Sequence, residues 1–254
     1  MRSAGLDIGS RSIELVVLDD GEVAAQKQTD TGVDPMLGVQ TLLREQTYER
    51  IMATGYGRNL FEVSADAPTV TEIKAYARGV RHLFPQAATV LDIGGQDSKA
   101  IAIGANGRVK KFEMNDRCAA GTGKFLEIMA YALGFELADF GAAALQAEQS
   151  LTISSMCTVF AESEVTSLIA KGQDARAIAH GLHASVVRRA AAMLQRVSGT
   201  PQDVVFVGGV ANNHCIVTLL QETLGTTIHV PSAPQMTGAL GAALLAAENG
   251  NAGP

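Results

Sequence analysis

The sequence predicts an α/β fold made of two related lobes, and three observations support this. The phrase Leu-Asp-Ile-Gly occurs twice, at residues 6–9 and 91–94, and each copy ends an apolar strand. Each copy then runs into a second strand and a turn, so the two halves share a strand–turn–strand unit. Along the rest of the chain, short apolar strands alternate with helix-like segments, as is typical of α/β proteins.

Composition limits the functional classes. The 254 residues are 47% hydrophobic and 18% charged, which is ordinary for a globular protein with a sizeable core. A net charge of −6 without a basic run argues against nucleic acid as a partner. We see neither a signal peptide nor an uncharged apolar stretch of about 18 residues, so no membrane span is expected. Three cysteines do not form a disulfide framework here, which favours a reducing cytoplasm.

The first half of the chain contains strands and two predicted helices. Two short signals mark the turns. Asp20-Gly21 is a hairpin signal, and Asp34-Pro35 is a typical helix start with the aspartate as N-cap. Thr71 or Thr69 caps the second helix. We predict strands over 3–8, 13–18, 22–28 and 50–53, and helices over 34–45 and 71–83.

The second half repeats this pattern. A possible break at Gly181 interrupts the longest helix, and the glycines and alanines of the last helix favour close helix crossing. Residues 249–254 are expected to form a frayed tail. We predict strands over 90–93, 100–103, 108–114, 204–207 and 227–230, and helices over 124–133, 159–170, 174–197, 212–224 and 236–247.

Both Asp-Ile-Gly turns are candidate phosphate sites. Glycine lets backbone N–H groups approach an anion closely, and a carboxylate beside such a turn suits a hydrated magnesium ion or a water. Asp7 and Asp92 hold that position. The hairpin tip Ser10-Arg11-Ser12 offers hydroxyls and a guanidinium to phosphate oxygens. On the residues alone, this tip is equally well a polar hairpin turn.

A diglycine follows a later strand. Gly208-Gly209 stands between the strand at 204–207 and a helix, ahead of Val210. Such a turn lets a flat ring or a phosphate lie on the backbone. By itself this is a moderate signal for a nucleotide site.

Two cysteines stand in matching positions. Cys118 and Cys157 each precede a predicted helix, for which Ser154 and Ser155 are further candidate caps at the second site. The partial positive charge at a helix start favours a thiolate. A single cysteine of this kind is more often a buried core thiol, but the matching pair favours metal ligands.

The long helix at 174–197 carries other polar residues. We expect Arg188, Arg189 and Arg196 on its solvated side, which is the usual position of such charges. His180 and His183 are interpreted as surface or packing residues, since no carboxylate at ligand spacing accompanies them.

Together, the two Asp-Ile-Gly turns, the later diglycine and the small-residue closing helix resemble the actin-like, ribonuclease H-like ATPase fold. Members bind ATP in a nucleotide cleft between two related lobes. The resemblance implies lobe I over 1–86 and 232–254, and lobe II over 87–231. It also implies phosphate loops at 7–12 and 92–99 and an adenosine loop at 204–213.

A narrower resemblance covers almost the whole chain. Five motifs are similar, in the same order, to those of the activators of 2-hydroxyacyl-CoA dehydratases, the family that includes the ATPase subunits of benzoyl-CoA reductase. The motifs are Thr54-Gly55-Tyr56-Gly57-Arg58, Asp92-Ile93-Gly94-Gly95-Gln96-Asp97, Met114-Asn115-Asp116-Arg117-Cys118-Ala119-Ala120-Gly121-Thr122-Gly123, Cys157-Thr158-Val159-Phe160-Ala161-Glu162-Ser163-Glu164 and Gly208-Gly209-Val210-Ala211.

This resemblance implies an activity and its cofactors. It implies an oxygen-sensitive homodimer that shares one 4Fe–4S cluster through Cys118 and Cys157 of each copy, and three cysteines in one chain do not supply the four thiolates of such a cluster. Hydrolysis of ATP with Mg²⁺ would send a low-potential electron to an iron–sulfur dehydratase, an aryl-CoA reductase or a double-cubane protein. Ferredoxin or flavodoxin would be the donor.

The resemblance also implies site residues. Asp7 and Asp92 would be catalytic. The ATP or ADP contacts would be Ser10, Arg11, Ser12, Gly94, Gly95, Gln96, Thr122, Gly208, Gly209, Val210 and Gln235.

One departure and two alternatives accompany these expectations. Relatives commonly carry a lysine where this chain has Glu14, and Arg11 is a possible replacement for that charge. Cys215 matches no ligand and is interpreted as a packing thiol. A small-molecule kinase of the same fold is the first alternative, but it has no use for the cysteine pair. A non-catalytic scaffold that holds zinc through four thiolates is the second.

Overall fold

The computed structural model describes residues 1–154 and 157–249. Ser155 and most of the expected tail, 250–254, lie outside the described residues. The strands are β1 (Arg2–Ile8), β2 (Ser12–Asp19), β3 (Glu22–Asp30), β4 (Arg50–Thr54), β5 (Thr89–Ile93), β6 (Ser98–Ile103), β7 (Val109–Asn115), β8 (Val204–Val207) and β9 (Ile228–His229). The helices are α1 (Pro35–Leu43), α2 (Arg58–Ala65), α3 (Glu72–Leu83), α4 (Gly123–Ala132), α5 (Leu137–Leu145), α6 (Thr158–Ala170), α7 (Ala175–Ser198), α8 (His214–Leu224) and α9 (Thr237–Glu248).

The chain divides into two compact units. Unit 1 comprises Met1–Val90, Ile103–Lys110 and the segment from Pro231 onward, and unit 2 comprises Leu91–Ala102 and Lys111–Val230. No single helix among the described residues is long and apolar enough to cross a membrane, although α4 and α5 together reach that length and composition with an 80° bend between them.

Unit 1 is built on a four-stranded sheet in the order β3-β2-β1-β4. The strand β1 is antiparallel to β2 and parallel to β4. The two central strands are buried along nearly their whole length, because their continuous apolar runs are covered on both faces. Asp34 caps α1 as expected, since its carboxylate accepts hydrogen bonds from the amides of Met36 and Leu37.

The closing helix α9 packs against β1 and α3. Its small residues allow this, because a Cβ on Gly241 would clash with the backbone carbonyl of Ala75 in α3. The close helix crossing that the sequence predicts is therefore confirmed.

Unit 2 contains most of a five-stranded sheet in the order β7-β6-β5-β8-β9. Its core joins Leu91 and Phe206 of the sheet with Leu182 and Leu194 of α7. The helix α7 is continuous through Gly181, so the break considered at that residue is wrong. Glycine is needed there for packing, since a Cβ would clash with the carbonyl of Leu151.

Two further predictions differ from the structure. The helices α2 and α5 were not expected. Each is short, and α2 buries only Phe61, so the apolar periodicity is weak. Ser154 does not cap α6, because Cys157 occupies the N-cap position and the Ser154 hydroxyl bonds to Glu164 instead.

Candidate functional site

In unit 1, a buried carboxylate lies at the end of the central strand. Asp7 is 5% exposed, and the hydroxyl of Tyr76 donates a hydrogen bond to its Oδ2 atom at 3.2 Å. A Cβ on Gly238 at the start of α9 would clash with this carboxylate. Tyr76 and α9 therefore fix Asp7 from one side, and only glycine fits at position 238.

Asp7 has polar neighbours on both adjacent strands. Glu14 of β2 and Thr54 of β4 are its register partners, so the three side chains share one face of the sheet. Glu14 is also buried, and the hydroxyl of Ser12 donates to it at 2.5 Å. The Thr54 Oγ1 atom is buried without a hydrogen-bond partner in the described part of the chain. A buried hydroxyl without a partner is what a site for a hydrated cation or a phosphate group would leave.

The first candidate phosphate loop is held by backbone hydrogen bonds. The amide of Gly9 donates to the carbonyl of Ser12 at 3.0 Å, and Thr31 bonds to both Gly9 and Arg11. The Ser10 side chain is half-buried and Arg11 is exposed. The loop thus has a fixed backbone and presents a hydroxyl and a guanidinium to solvent.

Gln235 lies in a short 3₁₀ turn, Pro234–Met236, just before α9. Its Oε1 atom is buried and has no hydrogen-bond partner among the residues described. A polar atom in that state fits a ligand contact, which is the role that the sequence analysis assigned to it.

In unit 2, the second aspartate forms part of a buried ionic group. Asp92 is fully buried, and its Oδ2 atom lies 3.0 Å from the ammonium of Lys99. Lys99 is 2% exposed and also contacts Asp97 at 2.7 Å. The charge of Lys99 thus lies directly below the second candidate phosphate loop, where it favours an anion.

The backbone of this loop is tied to α4. The amide of Gly123 donates to the carbonyl of Gly94 at 2.9 Å, and the amide of Lys124 donates to the carbonyl of Gly95 at 2.8 Å. Gln96 is exposed at the tip. The hydroxyl of Thr122 is buried and donates to the carbonyl of Ala119 at 2.6 Å, so it holds its own loop together.

The diglycine turn lies against the same carboxylate. Gly208 has φ = +84°, which favours glycine, and a Cβ there would clash with the Asp92 side chain. Gly209 is exposed and has open space above its Cα, whereas Val210 is buried. The structure therefore brings Asp92, the loop at 94–96 and the diglycine together within unit 2.

The three cysteines differ in environment. Cys118 is partly buried, Cys157 is exposed at the N-cap of α6, and Cys215 is fully buried in the core. Burial raises the pKa of Cys215 to about 12, which fits the packing role expected for it. The Asn115 side chain donates to the carbonyls of Cys118 and Ala120 and so fixes the loop that carries Cys118.

The two helices that follow Cys118 and Cys157 contact each other, since α4 packs against α6. Within the described ranges, no group of three or more His, Cys, Asp or Glu side chains forms a metal site. Two accessible thiols from one chain fit half of a four-thiolate site.

Comparison with known proteins identifies the family. The model of the BadF/BadG/BcrA/BcrD ATPase family matches residues 4–246. The chain belongs to this family. As a BadF/BadG/BcrA/BcrD ATPase, it is 44% identical to the activator of lactoyl-CoA dehydratase from Anaerotignum propionicum, with 98% of each chain covered. It is 40% identical to the 2-hydroxyisocaproyl-CoA dehydratase activator of Clostridioides difficile, with 97% of this chain and 95% of the relative covered.

Solved structures show that this family member has the actin-like ATPase fold. Component A of the (R)-2-hydroxyglutaryl-CoA dehydratase of Acidaminococcus fermentans matches with a TM-score of 0.92 and 38% identity over 98% of both chains. The Clostridium difficile activator with bound ADPNP matches with a TM-score of 0.90 and 39% identity over 98% of this chain and 95% of that one. A Streptomyces griseus glucokinase shares only the fold, at 15% identity, a TM-score of 0.61 and coverage of 98% and 100%.

Two features of this ATPase were missed from sequence. The contact of Tyr76 with Asp7 joins residues 69 positions apart, and no local pattern indicates it. The arginines of α7 are at least partly solvated as expected, but they also line a cavity of about 1040 Å³. A cluster of arginines on a single helix was the available signal.

Proposed function

We propose that this ATPase is the activator of an iron–sulfur partner enzyme. In this proposal, two copies share one 4Fe–4S cluster through Cys118 and Cys157 of each chain. The cluster, when bound, supplies one low-potential electron, and hydrolysis of ATP drives its delivery. The partner is a 2-hydroxyacyl-CoA dehydratase, an aryl-CoA reductase or a double-cubane protein, and the donor is ferredoxin or flavodoxin.

The observation that carries the proposal is the contrast among the three cysteines. Cys118 and Cys157 are accessible and precede two helices that contact each other, while Cys215 is sealed in the core. Helix α6 directs its partial positive charge at Cys157, which favours the thiolate that iron needs. Two ligands from one chain require a second chain to complete the four.

A homodimer is supported by the surface around Cys157. Val159 and Phe160 follow this cysteine and are 65% and 68% exposed. Adjacent large apolar side chains on a surface mark a contact site. A second copy placed on this patch would cover both side chains and bring its own cysteines to the same place.

The nucleotide part of the proposal rests on the two loops. Each presents a buried aspartate at the end of a strand beside a glycine turn, and the buried Oγ1 of Thr54 and Oε1 of Gln235 fit ligand contacts. We propose that Asp7 and Asp92 act on Mg²⁺ or the attacking water. In unit 1 the contacts to ATP or ADP are Ser10, Arg11 and Ser12 together with Gln235.

In unit 2 the proposed contacts come from two glycine turns and the segment before α4. The proposed residues are Gly94, Gly95, Gln96, Thr122, Gly208, Gly209 and Val210. Thr122 would act through its backbone, since its hydroxyl already bonds within the loop.

Relatives support the choice of partner. Those with the highest identities are named as dehydratase activators, and a relative from Thauera aromatica that is 30% identical is named as a component of benzoyl-CoA reductase. No observation favours the kinase alternative, because the glucokinase likeness is one of fold.

The test is metal analysis of protein purified without oxygen. We expect about four irons and four sulfides per dimer, with a broad visible absorbance that dithionite bleaches. Cys118→Ser and Cys157→Ser should each lose the iron, whereas Cys215→Ala should keep it. Zinc in place of iron, or no metal at all in folded dimer, would overturn the electron-transfer proposal. Phosphate release without any acceptor distinguishes the ATPase from a kinase.

A further inference from the structure

A basic cavity in unit 2 is not used by the function proposed above. It has a volume of about 1040 Å³ and lies between β7, the segment at 152–154 and the second half of α7. Four arginines and two carboxylates line it, in a chain whose net charge is −6. The charged lining residues are Arg117, Arg188, Arg189, Arg196, Glu113 and Asp116.

The arginines are held in different ways. Arg196 forms a two-pronged ion pair with Glu113 at 2.6 and 2.7 Å, and these hydrogen bonds hold the pKa of the Glu113 carboxyl below its usual value. Arg188 donates to the carbonyl of Ile153 at 3.1 Å through one nitrogen. A guanidinium has five N–H donors, so Arg188 keeps most of them for a ligand. Arg117 is exposed beside it on the cavity lining.

The rim of the cavity resembles a protein interface. The strand β7 is an edge strand of its sheet, and its Phe112 and Met114 are 53% and 42% exposed. Arginine, methionine and aromatic residues are enriched where proteins bind one another. The volume also reaches the upper limit of small-molecule pockets, which favours part of a protein surface as the occupant.

The cavity adjoins both cysteine segments. Arg117 precedes Cys118 in the chain, and the lining residue Asn115 bonds to the carbonyl of Cys118 at 2.9 Å. The lining residue Ser154 bonds to Glu164 of α6, the helix that begins after Cys157. A protein seated here would lie next to the proposed cluster ligands.

We propose that this cavity is the docking surface for a small acidic electron-carrier protein, the donor of the reaction. This inference rests on the proposed function. Carboxylates of the carrier pair with Arg188 and Arg117, which orients it toward the cysteine segments. Electron-transfer contacts are small and short-lived, and electrostatic complementarity suits them because it raises the association rate.

The test is equilibrium binding of an acidic flavodoxin to the full-length protein without oxygen, followed by calorimetry. We expect Arg188→Glu to weaken binding by about tenfold or more, Arg188→Lys by less, and salt to weaken the wild type strongly. Lys171→Glu is the matched control, because Lys171 is exposed in the same unit away from the lining, and its effect should stay below about twofold.

Three results would overturn the inference. They are equal affinity of Arg188→Glu and wild type, a monomeric Arg188→Glu, which would make the cavity a contact between copies, and binding of coenzyme A that needs Arg188 while flavodoxin binding does not. Iron content and ATP hydrolysis of the same samples separate the two proposals. Missing iron counts against the proposed function, whereas normal iron and hydrolysis with unchanged flavodoxin affinity count against docking alone.

Discussion

Lys99 and Asp92 form an ion pair that is almost completely removed from water, with 3.0 Å between Nζ and Oδ2 and exposures of 2% and 0%. We expect Lys99→Met to destabilise the protein by about 3–5 kcal/mol, because it leaves the carboxylate of Asp92 buried without its cation. Urea unfolding of the variant and the wild type measures this difference.

The control for this variant is Lys124→Met. Lys124 pairs with Glu127 at 3.5 Å on the surface, with exposures of 44% and 31%, so its loss should cost about 1 kcal/mol or less. Similar losses for the two variants would mean that the buried pair contributes no more than a surface one.

Tyr76→Phe removes the hydroxyl that donates to Asp7. We expect a loss of about 1 kcal/mol in stability, since the carboxylate loses one donor. We also expect ATP hydrolysis to need more Mg²⁺ for its half-maximal rate, because Asp7 is less well oriented. Tyr131→Phe is the control, since Tyr131 is 88% exposed. An unchanged Mg²⁺ requirement in Tyr76→Phe would separate Asp7 from the metal.

Gly208 and Gly209 are neighbours with opposite tolerance to a side chain. Gly208→Ala adds a Cβ at φ = +84° against Asp92, so we expect a loss of about 1–3 kcal/mol in thermal or urea unfolding. Gly209→Ala meets open space, so its stability should match the wild type. If the nucleotide lies on this turn, Gly209→Ala should still weaken ADP binding in calorimetry, and wild-type affinity would remove Gly209 from the site.

His183 is a buried neutral imidazole that joins α7 to α8. Its Nδ1–H donates to the Ala179 carbonyl at 2.7 Å, and its Nε2 lies 3.0 Å from the Asn213 amide nitrogen. Burial lowers its pKa to about 4, so the unfolded chain binds this proton first as pH falls. Its contribution is present above about pH 6.5 and is lost toward pH 4, at about 2 kcal/mol by pH 5.

Urea unfolding across this pH range measures that contribution. The slope of stability against pH between about 5 and 7 should flatten in His183→Gln. It should persist in His180→Gln, since His180 is less buried. Equal slopes in wild type and His183→Gln would assign the acid sensitivity to other groups.

Much of the fold was predictable because its signals are local. Asp34-Pro35 starts α1, and the two Asp-Ile-Gly turns end β1 and β5 as the sequence indicates. The short helix α2 was not predictable, since one buried residue sets no period. Its stability comes from packing on distant parts of unit 1 rather than from its own pattern.

The site was predictable at its turns and not at its walls. Gly208 announces a special backbone, and the structure shows that it is fitted to Asp92. Tyr76 is an ordinary core residue on an amphipathic helix by sequence, and only the fold brings it to Asp7. Contacts between residues far apart in the chain leave no periodic signal.

The strand pairs that follow the two aspartates carry opposite charges at the same step. Seven residues after Asp7 stands its register partner Glu14, and seven residues after Asp92 stands Lys99, which binds it. A graft of residues 7–14 in place of 92–99 would therefore exchange a buried ammonium for a buried carboxylate beside the aspartate. The two repeats have diverged into parts that are no longer interchangeable, so a chimera of duplicated first halves should not fold.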